Sequence, residues 1–342
     1  MRRVVLLLTP LALCASLAVA QSGDPVTVRA SGLGTAWAVI ADPYGDFIVG
    51  NKDNNQVWWV TADGRKQVIT QIGHATGIGW DMFGNLLITA EFFVFKLNPK
   101  GVVTNYIVAD GMQSVALAPD GTLWFTNWDS SLRHYDALGK PLERINLTLF
   151  GGQAGPFQIA ISSSGDIYFT SNAAAGGTTV YRLTNRQAQR LFNLSWRVIG
   201  MAVDAAGNLF LSGGEIGNGH VAQYSPSGTP IADPFATQVS PTGIAFGRNA
   251  DGSMNKRLFV VESSGRLLEL NPSGVEQPGA PVGFATSAQA IADVLKPGVL
   301  TDAQRRVIDQ VGNNNGRYDV GDLRAFLLQT TTISAGAAYS VR

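Results

Sequence analysis

The chain has 342 residues, 25 basic and 25 acidic side chains, and one cysteine, Cys14. The even charge leaves no footprint for nucleic acid or an anionic membrane surface, and a lone cysteine excludes a disulfide framework. Charged residues are 15% of the chain, against about 25% in an average soluble protein, which with abundant glycine points to a turn-rich all-β molecule.

In chain order, Arg2 and Arg3 precede an apolar stretch from Val4 to Leu17, and Ala18-Val19-Ala20 stands before Gln21. That is the layout of a secretory signal peptide over residues 1–20, with the mature chain starting at Gln21 outside the cytoplasm, extracellular or periplasmic. The stretch is broken by Thr9-Pro10 and is shorter than the ~20 residues of a membrane span. Cys14 leaves with the signal, so thiol catalysis is excluded in the mature protein.

From residue 25 the chain repeats one phrase: a small apolar run, a turn closing on glycine, and a second apolar run. The turn glycines are Gly45, Gly84, Gly121, Gly165, Gly207 and Gly252. Recurrence at about 40 residues is the signature of stacked supersecondary units. The runs are short, rich in Val, Ile, Phe and Tyr, and bounded by Gly, Asn, Asp or Pro, which is the grammar of strands and hairpins. Blade one reads as Trp37 to Ala41, Asp46 to Val49, Gln56 to Thr61 and Lys66 to Thr70. Four strands per repeat make a propeller blade. The sixth repeat supplies Thr242 to Phe246, Arg257 to Val261 and Arg266 to Leu270, and lacks a good fourth strand. The N-terminal strand Pro25 to Ala30 is expected to fill that place and hide both edges. The expectation is a six-bladed β-propeller over residues 21–271, with a seven-bladed ring as the competitor.

Ile78-Gly79-Trp80-Asp81 with Gly84-Asn85-Leu86, and Val49-Gly50-Asn51-Lys52-Asp53-Asn54-Asn55-Gln56-Val57, resemble NHL repeats and the gluconolactonase-like and strictosidine-synthase-like propellers. For gluconolactonase-like enzymes the resemblance implies an Asp, an Asn and a Glu at the channel entrances, binding a divalent cation that polarises a lactone. Aligned by the turn glycines, the entrances here carry Trp37, Thr76, Gln113, Phe157, Ile199 and Thr242. None is a carboxylate, which moves the reading from enzyme toward binding.

A second ring lies where each second strand ends: Asn51, Ala90, Asn127, Ser171, Gly213 and Glu262, with Glu91, Asn172 and Glu215 close by. Asn51, Glu91, Asn127, Trp128 and Asn172 are the candidate ligand contacts, Trp128 because an amphipathic ring stacks on a sugar face. The alternative is that these polar groups cap turns through side-chain to backbone hydrogen bonds. His74, His134 and His220 all fall in predicted loops. The stretch Pro119 to Thr126 resembles repeats of virginiamycin B lyase, whose type implies a His and a nearby Glu as acid and base. His220 with Glu215 is the comparable pair, and Glu262 a further weak catalytic candidate; an exposed loop histidine is the competing account. Trp58-Trp59 must send its rings to opposite faces of a strand, and Trp80 and Trp124 read as packing between blades.

After Leu270 the composition changes. Residues 272–285 form a Pro/Gly linker, residues 286–330 a helical module, and residues 331–342 a tail. Thr286-Ser287-Ala288-Gln289 and Thr301-Asp302-Ala303-Gln304 look like helix N-terminal capping boxes. The second opens a helix–loop–helix. With Gly316 as the sharp-turn glycine of an EF-hand loop, position one is Val311 and the ligands are Asn313, Asn315, Arg317 through its carbonyl, Asp319 and Asp322. The stretch resembles the repeat of type I dockerins, departing from it at Val311, and the resemblance implies Ca2+ and a cohesin-like partner. The competing account is a tight inter-helix turn with Asp319 as an N-cap. The leading expectation is thus a secreted, non-enzymatic propeller binding a ligand or protein partner at its channel face. The runner-up is an extracellular hydrolase or lyase acting on a lactone or carbohydrate.

Overall fold

The computed structural model describes residues 26–42, 45–98, 101–149, 155–173, 176–215, 218–238, 240–248, 254–270, 287–300, 302–312 and 315–330. The expected signal peptide, Pro25 of the expected closing strand, the expected linker and tail, Gly252, Thr286, Thr301 and Asn313 lie outside them.

Each repeat folds into one antiparallel four-stranded sheet, and six such sheets form the propeller. The innermost strands are Ala36–Ala41, Gly77–Trp80, Met112–Leu117, Pro156–Ile161, Val198–Val203 and Pro241–Arg248. The repeated glycines have a local cause. Gly45, Gly84, Gly121, Gly165 and Gly207 all sit at φ between 77° and 92°, where a side chain is strained. In blade two the turn is held by Asp81, whose carboxylate accepts from the backbone N–H of Phe83 at 2.9 Å and of Asn85 at 2.8 Å. Asp204 does the same for Ala206 and Asn208 in blade five.

The ring closes between the first and the last strand of the propeller. Thr27–Ala30 pairs antiparallel with Leu267–Leu270 as the outer strand of the sixth sheet. Glu269, buried on that seam, takes Arg257 at 2.5 Å and 2.7 Å and also binds Arg29 of the N-terminal strand. Burial works to raise the Glu269 carboxyl, but hydrogen bonds from Arg257 and Arg29 outweigh it and hold the group below its usual value.

The cores lie between blades. Trp58 packs on the cluster shared by blades one and six, and Trp59 on the one shared by blades one and two, as strand alternation requires. Trp80 donates from Nε1 to the Ala41 carbonyl of blade one at 2.9 Å. Near the axis the blades are stapled by hydroxyls of the second strands. Thr89 donates to the Gln113 carbonyl at 3.0 Å and Thr126 to that of Phe157 at 2.9 Å. Between blades six and one the donor comes from the inner strand, Thr242 to Ala36 at 2.9 Å.

Three helices follow, Ser287–Leu295, Asp302–Val311 and Val320–Thr330. They bury Ala290, Leu300, Ile308 and Phe326 against Met82, Phe83 and Ala137. Those last three belong to the first turn of blade two and the last turn of blade three, so the helices cover the propeller end opposite the second-strand termini. Asp293 organises the helical part, accepting from the backbone of Gly298, Val299 and Leu300 and from Arg305. No described helix is long and apolar enough to cross a membrane.

Candidate functional site

The six innermost strands surround a central cavity of about 240 Å³, lined by residues of every blade. Its wall is mostly Gly, Ala, Ile and Val, because small side chains let six sheets converge on one axis. Polar groups stand toward the mouth: Thr76, Ser114 and Gln158. Ser114 Oγ donates to Gln158 Oε1 at 3.2 Å, which leaves the Gln158 amide nitrogen as a donor for a guest. At the far end are Trp80, Ser163, Asp204 and Arg248. Burial draws the Arg248 guanidinium down to about 10, with the nearby Asp42 carboxylate working against it, so it stays charged at neutral pH.

The lining differs from the one expected at the entrances. Trp37, Thr76 and Ile199 line the cavity, whereas Gln113, Phe157 and Thr242 are buried. Their successors Ser114 and Gln158 line it instead. The same position lines the cavity in the other blades, as Ala38, Gly77, Gly200 and Gly243, so the position shared by all six inner strands lies one residue later than the turn glycines suggest.

The second ring serves the scaffold. Asn51 donates to the Leu33 carbonyl at 2.7 Å and accepts from the backbone of Asp53 and Asn54. Asn127 donates to Asp110 and accepts from Asp129, and Asn172 donates to Val198 and accepts from the Thr178 hydroxyl. All three are buried. Glu262 is fully buried and bound to Arg266 and Ser264. Glu91 is exposed, and Trp128, next to Asn127, is 62% exposed.

The histidines correct an expectation. His74 is in a loop, but His134 lies in the strand Ser131–Tyr135 and His220 in the strand Asn218–Tyr224. His134 stacks on Trp124 at 4.0 Å and faces Glu143, both within its own blade. His220 packs edge-on against Trp196 at 4.2 Å. Burial holds its imidazole below the ordinary value, with Asp233 pulling the other way. The Glu215 backbone pairs with Asn218 in the same hairpin; its side chain lies outside the described set.

In the helix–loop–helix, Asp319 accepts from Gly321 N–H at 2.7 Å while Asp322 accepts from Asp319 N–H at 2.8 Å. That is a reciprocal cap on the last helix. Asn315 Oδ1 accepts from Arg317 N–H, and Asp309 accepts from the N–H groups of Asn315 and Gly316. Among the described residues no three His, Cys, Asp or Glu side chains converge as a metal site.

Two positively charged side chains at the mouth were not among the candidates. Lys52 Nζ lies 4.3 Å over the ring of Trp37, and Arg197 lies 5.8 Å over that of Phe157.

With six four-stranded blades, an N-terminal closing strand and an axial cavity in view, the likeness to known structures is plain. The fold is the gluconolactonase-like six-bladed propeller. A gluconolactonase from Xanthomonas campestris shares it at 15% identity and TM-score 0.57, over 75% of this chain and 93% of that one. A calcium-binding regucalcin from Agrobacterium tumefaciens shares it at 19% identity and TM-score 0.57, over 77% and 98%. Virginiamycin B lyase from Staphylococcus aureus is similar at 14% identity and TM-score 0.50, over 72% and 98%. No family model and no curated protein matches the sequence. At such identities the likeness is one of scaffold, and a scaffold hosts many chemistries. The divalent cation implied for gluconolactonase-like propellers does not fit this mouth: Trp37, Thr76, Ser114, Gln158 and Ile199 offer no carboxylate, the donor a hard cation wants.

Proposed function

We propose that this chain is a secreted binding propeller that holds a small ligand in the mouth of its axial channel without transforming it. The observation that carries the reading is the cavity lining. It has neutral hydrogen-bonding groups at one end, an apolar wall, and no acid–base pair within reach of a guest. Its single carboxylate, Asp204, is committed to the backbone of Ala206 and Asn208 and to the Asn208 amide. At about 240 Å³ the space is below the range of drug-sized sites, which suits a small molecule or the end of a chain.

The test is calorimetric titration of the full chain with glucose, gluconate and glucono-lactone, with product analysis alongside. Binding of one of these without turnover, lost in Gln158→Trp, is the expected outcome. Lactone hydrolysis that Gln158→Trp abolishes would establish the enzymatic alternative instead. Calcium enters this reading as a property of the helix–loop–helix, where Asn315, Asp319 and Asp322 would exchange their backbone hydrogen bonds for the ion. Added calcium should raise the melting temperature of the full chain and leave that of Asp322→Asn unmoved.

A further inference from the structure

Lys52 and Arg197 form no ion pair among the described residues, unlike Arg29, Arg133, Arg182, Arg257, Arg266 and Arg305, each of which holds a carboxylate. Their placement is not scattered. Lys52 follows the end of the second strand of blade one and covers Trp37, a cavity residue. Arg197 immediately precedes the inner strand of blade five and reaches over Phe157, the neighbour of the cavity residue Gln158. In a ring of six, blade one stands opposite blade four. Lys52 thus stands one side chain from the lining on blade one, and Arg197, at the start of the blade-five strand whose Ile199 lines the cavity, reaches toward blade four over the buried Phe157.

Asp129, exposed at this end, is held by Arg133 and Arg144. The other exposed acids described there are Asp53, Glu91 and Asp110. Asp53 follows Lys52 in sequence yet makes no ion pair with it, and Glu91 and Asp110 stand on the sector of blades two and three. On the arc from blade four through blade six to blade one, the described charges without an ion pair at this end are the cations Lys52 and Arg197 and the acid Asp53.

We propose that the ligand of the channel mouth is a small hydroxylated organic anion, a carboxylate or a phosphate ester, clamped between Lys52 and Arg197. Its hydroxyls meet Gln158, Ser114 and Thr76. This rests on the channel-binding reading and adds the charge of the guest. The two cations are complementary in kind, since the guanidinium offers a planar fork of donors and the ammonium a mobile point charge. Each is held over an aromatic face, which limits its wandering and reduces the entropy lost on binding.

The experiment is titration of the full chain with gluconate, galacturonate and glucose 6-phosphate against neutral glucose, at low and raised salt. The expected result is that an anion binds at least roughly tenfold tighter than glucose and weakens as salt rises. Lys52→Met and Arg197→Met should each lose about tenfold, Lys52→Arg should retain binding, and Lys140→Met, a remote exposed cation, should change nothing. Comparing the carboxylates with the phosphate ester identifies which anion is preferred. Glucose binding as tightly as gluconate overturns the charge assignment while leaving the channel reading intact. Anion binding unaffected in the Lys52→Met, Arg197→Met double variant, or no binding of any anion, overturns it as well. The salt series on the unaltered chain tests the charge of the guest, and Lys52→Gln and Arg197→Gln test the clamp if a Met variant folds poorly.

Discussion

Single residues in this protein are burdened by the turns they close. Asp81 is the clearest case, because its turn carries Met82 and Phe83, which the C-terminal helices cover. Burial raises its carboxyl from 3.8 to about 6, although the Asn85 amide and the backbone of Asn85 and Phe83 pull it down. Between those two values the folded chain binds a proton that the unfolded chain has released. This group's contribution to stability is therefore fully present below about pH 4, falls as pH rises to about 6, and is flat above. Asp81→Asn, an uncharged isostere, should remove that slope, a change on the order of 3 kcal/mol. Urea unfolding at pH 4, 5, 6 and 7 is the check; an unchanged slope in the variant would mean that another group is responsible.

At the scale of elements, the closing strand Thr27–Ala30 is held by a short ladder and by the Arg29–Glu269–Arg257 cluster. Both arginines remain partly exposed, so removing the shared charge costs less than breaking a fully buried pair. Glu269→Gln should destabilise by about 2 kcal/mol. The carboxyl is held below its ordinary value, so its contribution is present above the unfolded value near 4.5 and is lost as pH falls toward and through the folded one. The variant should accordingly be less sensitive to acid than the parent, which thermal melts at pH 3, 4 and 7 will show. The strands themselves were legible in the sequence, because each of the first five turns needs a glycine at positive φ, three of them with an Asp that caps the backbone four residues on. The cavity lining was less so. Glycine alignment put Gln113 and Phe157 at the axis, whereas the residues one step on, Ser114 and Gln158, line the cavity beside Ala38, Gly77, Gly200 and Gly243. The number of residues from turn to axis leaves no mark in the hydrophobic pattern. Lys52 and Arg197 were missed for a related reason: their role comes from rings, Trp37 and Phe157, brought together by the closed ring.

For the molecule as a whole, the helices are docked instead of hanging free. Phe326 is fully buried and meets Phe83 with ring centroids 6.3 Å apart. Phe326→Ala should cost about 3–5 kcal/mol and lower the denaturant midpoint of the full chain. If propeller and helices are energetically joined, tryptophan fluorescence and far-ultraviolet circular dichroism will move together. Separate transitions would mean that the contact contributes little to the blades. With the helices at one end and the ligand mouth at the other, a partner attached through the helical face would leave the mouth open.

The seam between Arg29 and Glu269 joins residues 240 positions apart, and that has a consequence in time. The first strand of the propeller to leave the ribosome is paired by the last blade to be made. Until residue 270 is available it has no ladder, and the ring stays open with two raw edges. Folding of this chain is then bounded by a contact of very high order, which slows it, and the open ring is the species most prone to pair with a second copy. A trim of only a few residues beyond Thr27 would leave that vulnerable intermediate as the final state.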